Sequence, residues 1–189
     1  PVQTSKLRLV ISRQGDGETG VGIGEVEVYG TEVPETMGDN VAPLATASAD
    51  AQNTPVTNVN NGSLATDAGT SWNTWNSSTY PTTVMLTWDA PYELSGMRVM
   101  YWADNGNLTA NGNVTFPKSC EVEYYDYDTA SWQTITAMTD ETGAPVSSVG
   151  VKYGTAEAAS DQPADYLNGN NRYWNVVTFD EPVKTTQLR

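Results

Sequence analysis

Apolar and polar residues alternate along several short stretches of the chain, which is the pattern of half-buried β-strands. The segment Lys6–Ser12 alternates in this way, and its apolar face holds Leu7, Leu9 and Ile11. The segment Gly24–Gly30 alternates too, with Val26 and Val28 on one face and Glu25, Glu27 and Tyr29 on the other. A Gly-Asp-Gly turn lies between the two segments, so they predict a β-hairpin.

Six later segments have the same character and are separated mostly by turn residues. They are Thr83–Trp88, Gly96–Trp102, Ser119–Tyr125, Ser131–Ile135, Val146–Tyr153 and Tyr173–Phe179. Asp89-Ala90-Pro91 is interpreted as the turn between the first two. The Ala-rich stretch Thr155–Tyr166 contains Pro163, so a single turn is expected there rather than a long helix. Short strands punctuated by turns predict an all-β sandwich or barrel.

The two ends of the chain carry nearly the same octapeptide. Residues 1–8 read Pro-Val-Gln-Thr-Ser-Lys-Leu-Arg and residues 182–189 read Pro-Val-Lys-Thr-Thr-Gln-Leu-Arg, at an offset of 181 residues. Such a match predicts a tandem array, with neighbouring repeats of the same polypeptide as partners. We divide the chain into the closing hairpin of a preceding repeat at 1–30, a linker at 31–39, and a β-sandwich binding module at 40–189.

Residues 1–30 then have two possible destinations. They can fold back and complete the sandwich, which makes the domain a circular permutant, or they can complete a neighbouring molecule. An open sheet edge invites one of the two. Fold-back is favoured because a linker of about ten residues spans ~33 Å.

Charge and composition narrow the functional classes. The chain has 189 residues, a formal net charge of −14, no histidine and one cysteine. The negative charge argues against nucleic acid and against membrane surfaces as partners. The lack of histidine removes Ser-His-Asp and Cys-His catalysis and histidine metal sites. A glycosidase with two carboxylates stays chemically possible, but no pair stands out, so we expect a protein that is not an enzyme. Cys120 lies in an alternating segment and is expected to be buried.

A series of motifs in a fixed order connects the chain to a known family. They are Asn61-Gly62, Thr70-Ser71-Trp72-Asn73-Thr74-Trp75, Thr83–Trp88, Tyr92-Glu93-Leu94-Ser95-Gly96-Met97-Arg98-Val99, Val122-Glu123-Tyr124, Trp132 and the stretch Gly22–Gly30. In these motifs the chain resembles the discoidin, or coagulation-factor type C, domains and the related family-32 carbohydrate-binding modules. The resemblance implies a galactose-binding-like β-sandwich, or jelly roll.

The resemblance also implies a function and a location. Relatives with Trp-Asn-Thr-Trp and Tyr-Trp-Ala-Asp motifs are similar to accessory modules of large bacterial glycosidases that are secreted or held at the cell surface. The expected role is a non-catalytic module that targets such an enzyme to a glycan of the galactose, arabinose or amino-sugar type. The alternative is a structural or adhesive repeat of a bacterial surface protein.

Sugar binding requires an aromatic face for the pyranose ring and polar groups for its hydroxyls. In the resembling fold these groups lie in loops at one end of the sandwich. The candidates are Trp75, Tyr80, Trp102, Asp104, Asn105, Arg172 and Trp174, with Asn73, Asn76, Asn107 and Tyr173 as further possibilities. Trp72 and Trp88 are expected in the core. For Trp102 a core position and a loop position are both open.

The resemblance further implies a structural calcium ion, which prefers carboxylate and carbonyl oxygens. Its ligands would come from the loop at 58–70 and from the glutamate of the closing strand. In this chain those residues are Asn61, Ser63, Thr70 and Glu25. The family usually has Asp-Gly where this chain has Asn61-Gly62, so one negative charge is missing.

Overall fold

The fold was obtained as a computed structural model, which describes residues 2–13, 20–32, 39–65, 67–103, 114–151 and 174–189. These residues form an all-β, sandwich-like structure, as the sequence pattern predicts. Apart from strands, the described residues form two short 3-10 helices, at Ala42–Leu44 and Val56–Val59. Across the same residues, no helix is long and apolar enough to cross a membrane.

Twelve strands follow one another along the described part of the chain. They are β1 (Val2–Arg13), β2 (Gly20–Glu32), β3 (Asp39–Asn40), β4 (Thr46–Ala49), β5 (Trp72–Asn73), β6 (Thr82–Trp102), β7 (Val114–Thr115), β8 (Pro117–Asp126), β9 (Ser131–Thr134), β10 (Met138–Asp140), β11 (Pro145–Val146) and β12 (Trp174–Leu188).

The first half of β6 belongs to one group of strands. It pairs with β4 on one side and with the second half of β1 on the other. Strand β1 pairs in turn with β8, and β8 pairs with β9. Strand β1 is therefore an interior strand of this layer, held on both sides by residues far away in the sequence.

The second half of β6 belongs to the other group. It pairs with β2 and with the first half of β12. Strand β12 continues to β10 and then β11, while β2 carries the short strands β3 and β5. Because β6 is 21 residues long, it passes from one layer into the other and joins them.

The larger of two hydrophobic clusters among the described residues lies between the layers. The alternating residues Leu7, Leu9 and Ile11 are all buried in it, and they share the cluster with Val26 and Val28. Trp72 and Trp88 are buried in the same cluster, as expected, and the free thiol of Cys120 is buried too. Periodicity thus predicted correctly that these apolar residues of β1 and β2 turn inward, since each alternating strand has one apolar face to cover.

Strand β2 runs close beside the second half of β6, and glycine makes this approach possible. A Cβ atom at Gly22 would lie 2.7 Å from the carbonyl oxygen of Trp102. The glycine-rich run at the start of β2 therefore has a packing reason: a side chain at Gly22 would push the two strands apart.

Two of the predicted boundaries are wrong. Asp89-Ala90-Pro91 is not a turn, because β6 continues through it. In the register of β12 on β6, the pair at Tyr92 is followed by the pair at Thr87. Pro91 therefore has no partner on β12, and its missing N–H removes no hydrogen bond of this ladder. Of the strand predicted at Val146–Tyr153, the described residues, up to Val151, contain only the end of β11 and an isolated bridge between Val149 and Cys120. The predicted turn at 155–166 lies outside the described residues.

Candidate functional site

Trp75 stands at one rim of the sandwich on a loop that the core holds firmly. It follows β5, which pairs with β2 at Gly22 and Ile23. Thr74 lies between β5 and Trp75. Its backbone N–H donates to the carbonyl of Val21 at 3.1 Å, and its Oγ1 accepts from the N–H of Val21 at 3.0 Å. The indole is half-buried and packs against the small cluster of Ala65, Trp102 and Val114.

Two surface hollows meet at this indole. The first has a volume of about 360 Å³ and is lined by Asn53, Thr54, Ala68, Gly69, Asn73, Trp75 and Val114. The second has a volume of about 520 Å³ and is lined by Ala49, Asp50, Ala51, Gln52, Trp75, Asn76, Ser77 and Thr79. Both fall within the roughly 300–1,000 Å³ typical of small-ligand clefts. Trp75 is the residue that both hollows share.

Hydrogen bonds inside the protein fix the floor of the first hollow. The Asn73 side-chain amide donates to the carbonyl of Ala68 at 3.0 Å and to Thr54 Oγ1 at 3.2 Å. Its Oδ1 accepts from the backbone N–H of Trp75 at 3.2 Å, and Thr54 Oγ1 donates to the carbonyl of Ser71 at 2.6 Å. Asn73 therefore acts through Trp75 by holding its backbone, rather than by offering free polar groups.

Asn53 is the polar side chain at this hollow that is exposed. Its backbone N–H donates to the carbonyl of Asn73 at 2.8 Å, which fixes its position at the edge. An amide offers both donors and an acceptor, which matches a sugar hydroxyl. The first hollow therefore combines an aromatic ring with an adjacent exposed amide.

The second hollow is bordered by Asp50 and by the turn after Trp75. Asp50 Oδ1 accepts from Thr82 Oγ1 at 2.6 Å and from the N–H of Thr83 at 2.8 Å. Asn76 takes a left-handed backbone conformation, with φ of 62°, which asparagine tolerates better than most residues. This turn directs the chain away from Trp75 and leaves the indole at the junction of the hollows.

The other predicted sugar-binding residues are placed differently. Tyr80 donates or accepts at Thr74 Oγ1, 2.9 Å away, and packs against the core, so it supports the loop that carries Trp75. Trp102 is 4% exposed and lies beneath Trp75. Trp174 is 5% exposed, with the guanidinium of Arg98 4.1 Å from its ring centroid. Both indoles are thus packing groups among the described residues rather than open faces. Asp104, Asn105, Asn107, Arg172 and Tyr173 lie outside the described residues.

Sequence reasoning named Trp75 and Asn73 of the first hollow but missed Asn53, Thr54, Ala68 and Gly69. Asn53 and Thr54 come from one loop, and Ala68 and Gly69 come from another. The second loop is shaped by Asp67, whose Oδ1 accepts from the N–H groups of Gly69 and Thr70 at 2.8 and 2.9 Å. The Asp67–Thr70 turn is recognisable in a sequence, but its proximity to Asn53 depends on the fold.

Glu25 is a buried carboxyl beside the loop at 58–70. A register shift between Ile23 and Glu25 in β2 disturbs the alternation there, and Glu25 is only 1% exposed. Its Oε1 accepts from the N–H of Gly62 at 3.3 Å, while Oε2 has no hydrogen-bond partner among the described residues. Burial raises the pKa of Glu25 to about 8; the Gly62 hydrogen bond opposes this, and the charge of Glu27 adds to it.

The residues proposed as calcium ligands fit the ion in part. Glu25 and the Asn61–Ser63 segment are brought together through Gly62, and an unpaired buried carboxylate oxygen suits a cation. Asn61 Oδ1 accepts a hydrogen bond from the N–H of Ser63 at 2.8 Å. Thr70 Oγ1 donates to the backbone carbonyl of Asp67 at 3.2 Å. No group of three acidic or thiol side chains that could hold a metal occurs in the described part of the chain. Calcium would therefore rely on Glu25 and neutral oxygens.

Comparisons with known proteins return no relatives. No protein-family model matches the chain, and neither the curated proteins nor the solved structures contain a match.

Proposed function

We propose that the chain is a non-catalytic carbohydrate-binding module whose ligand stacks on Trp75. The observation that carries the proposal is the position of this indole, half-buried on a hydrogen-bonded support and shared by two hollows. A rigid aromatic ring loses little entropy on binding, and its face matches the C–H face of a pyranose. Asn53 supplies the adjacent polar contact.

The geometry also favours binding over catalysis. Among the described residues that line the two hollows, one carries a carboxylate, which is Asp50. Its Oδ1 already accepts hydrogen bonds from Thr82 and Thr83. A glycosidase needs two carboxyl groups facing one sugar bond. The proposed role is attachment of a secreted or cell-surface bacterial glycosidase to glycan of the galactose, arabinose or amino-sugar type, with calcium at Glu25 as a structural ion.

The test is a glycan array followed by calorimetric titration of the best ligand. Trp75→Ala should abolish measurable binding, because truncation of a stacking aromatic removes the main contact surface. Tyr127→Ala is the matched control, since Tyr127 is 54% exposed on another part of the molecule. Binding that survives Trp75→Ala, or the absence of any glycan ligand, would contradict the proposal.

A second candidate is a structural or adhesive repeat of a bacterial surface protein. It is favoured by the duplicated octapeptide at residues 1–8 and 182–189. For this role the array should show no glycan ligand for the intact chain, and the Trp75 hollows should tolerate substitution without loss of function in adhesion assays. The glycan array therefore separates the two candidates.

A further inference from the structure

One strand position in the sandwich lies between the first half of β6 and β8. Strand β1 pairs on both sides there: Leu7 is registered with Leu86 and with Tyr124, and the register continues to Ile11. The position is interior to the layer, so it has a ladder of backbone groups on each edge. An occupant is therefore recognised mainly by its backbone and by its inward-facing apolar residues.

The end of β12 is registered on the same residues. Leu188 pairs with Leu86 of β6 and with Tyr124 of β8, as Leu7 does. The backbone N–H of Arg189 donates to the carbonyl of Glu123 at 2.8 Å, and the N–H of Glu123 donates to the carbonyl of Arg189 at 2.7 Å. Arg8 is registered with this same Glu123.

Side chains of the two segments also share their partners. Arg8 and Arg189 each pair through Nε with Glu123 Oε2. Both guanidinium groups lie over the ring of Trp132, at 5.5 Å for Arg8 and 3.8 Å for Arg189. Leu7 and Leu188 are both fully buried in the core cluster. The environment of Leu-Arg is thus the same for either segment.

The structural register agrees with the sequence match. Val2, Gln3 and Lys6 of β1 are registered with Val183, Lys184 and Gln187 of β12, in parallel. Each pair is separated by 181 residues, which is the offset of the two octapeptides. The two segments therefore run in the same direction, with the matching residues of the two octapeptides level with one another.

A backbone N–H carries a single hydrogen, and a strand position holds a single strand. We propose that this position is a strand-exchange site, for which Leu7-Arg8 of β1 and the chain end at Leu188-Arg189 are alternative occupants. The segment displaced from one molecule fits the same position in a second copy of this chain. Assembly then proceeds by strand exchange between identical units, which requires no new surface.

Paired cysteines in the full chain test the proposal. Arg8→Cys with Glu123→Cys traps the first occupant, and Arg189→Cys with Glu123→Cys traps the second. Facing residues of paired strands lie within disulfide range, so mild oxidation should cross-link both double variants within one molecule. Mixing the Arg8→Cys single variant with the Glu123→Cys single variant should also give a covalent heterodimer, detected by mass spectrometry.

Controls define the yield that counts. Glu123→Cys with Thr134→Cys joins registered neighbours of β8 and β9 and sets the full yield. Asp39→Cys with Glu123→Cys sets the background, since Asp39 is on β3, four positions away from β8 in the strand order. Burial raises the pKa of Cys120 to about 12, so the native thiol should stay unreactive in the parent chain. Cross-linking of only one of the two segments would overturn the alternative occupancy. A mixture that gives no heterodimer above background would overturn the exchange between copies.

Discussion

The rim at Trp75 and the strand position between β6 and β8 differ in which groups they offer to a partner. At the rim, backbone groups are satisfied within the loops, and a side chain is left at the surface between two hollows. At the strand position, two segments are registered on the same backbone groups of β6 and β8. The rim therefore suits a small ligand, whereas the strand position suits another strand. Damage to the rim should affect affinity, and damage to the strand position should affect stability.

The largest effect is expected at the strand position. Leu9→Ala removes a fully buried side chain of β1 that has no equivalent in residues 182–189, so it should cost about 2–5 kcal/mol of unfolding free energy. Leu7→Ala and Leu188→Ala should each cost less, because the other segment can supply leucine. The double variant should then lose more than the sum of the single losses. Urea unfolding of the four variants measures these values.

Additive losses at Leu7 and Leu188 would break the comparison. A second contradicting result would be that Leu7→Ala loses as much unfolding free energy as Leu9→Ala while Leu188→Ala loses none. Either result would mean that a single segment serves the position, and that the duplicated octapeptide has no role in the fold.

The next effect concerns Glu25, beneath the rim loops. Because the pKa of this carboxyl is raised from 4.5 to about 8 by burial, folding favours the protonated form. The contribution of the protonated carboxyl to the free energy of unfolding is fully present below pH ~4.5 and is lost as the pH rises through about 8. The loss should be on the order of a few kcal/mol, since each pKa unit corresponds to about 1.4 kcal/mol. Glu25→Gln should flatten this part of the stability–pH curve measured in a chelator.

Added calcium should change the stability–pH curve through the same carboxyl group. An ion bound by the ionised carboxylate should restore stability above pH 8, by about 2.7 kcal/mol when its concentration is a hundred times the Kd. Glu25→Gln should remove this gain. Glu121→Gln is the matched control, because Glu121 is exposed on β8. An unchanged melting temperature with calcium at high pH would refute the metal site.

The smallest effect is expected at Asn53. Asn53→Ala should weaken glycan binding by about 0.5–1.5 kcal/mol, the range for a lost neutral hydrogen bond. The melting temperature should not change, because the side chain is exposed and the backbone bond to Asn73 stays. Calorimetric titration and thermal unfolding check the two halves. A large loss of stability would show that the rim is not the side-chain surface described above.

Part of the candidate site could be predicted from local sequence. Trp75 lies among Asn, Thr and Ser, which predicts exposure, and the structure places it half-buried at the rim. Asn53 gave no such signal, since its role depends on two loops meeting. Glu25 shows the limit of periodicity: alternation with Val26 and Val28 places it on the outer face, but a register shift next to Ile23 accompanies its burial.

Strand type and inward faces were set by the sequence itself, because apolar residues at every second position, as in Leu7, Leu9 and Ile11, leave a strand only one face to bury. The path of the strands was decided by tertiary structure. Strand β6 runs straight through Asp89-Ala90-Pro91 because its two halves find different neighbours, and a local turn signal contains no information about distant partners. The duplicated octapeptide was visible in the sequence. Only the fold placed Leu7 and Leu188 opposite the same residues of β6 and β8, because pairing depends on the backbone ladder that each segment meets.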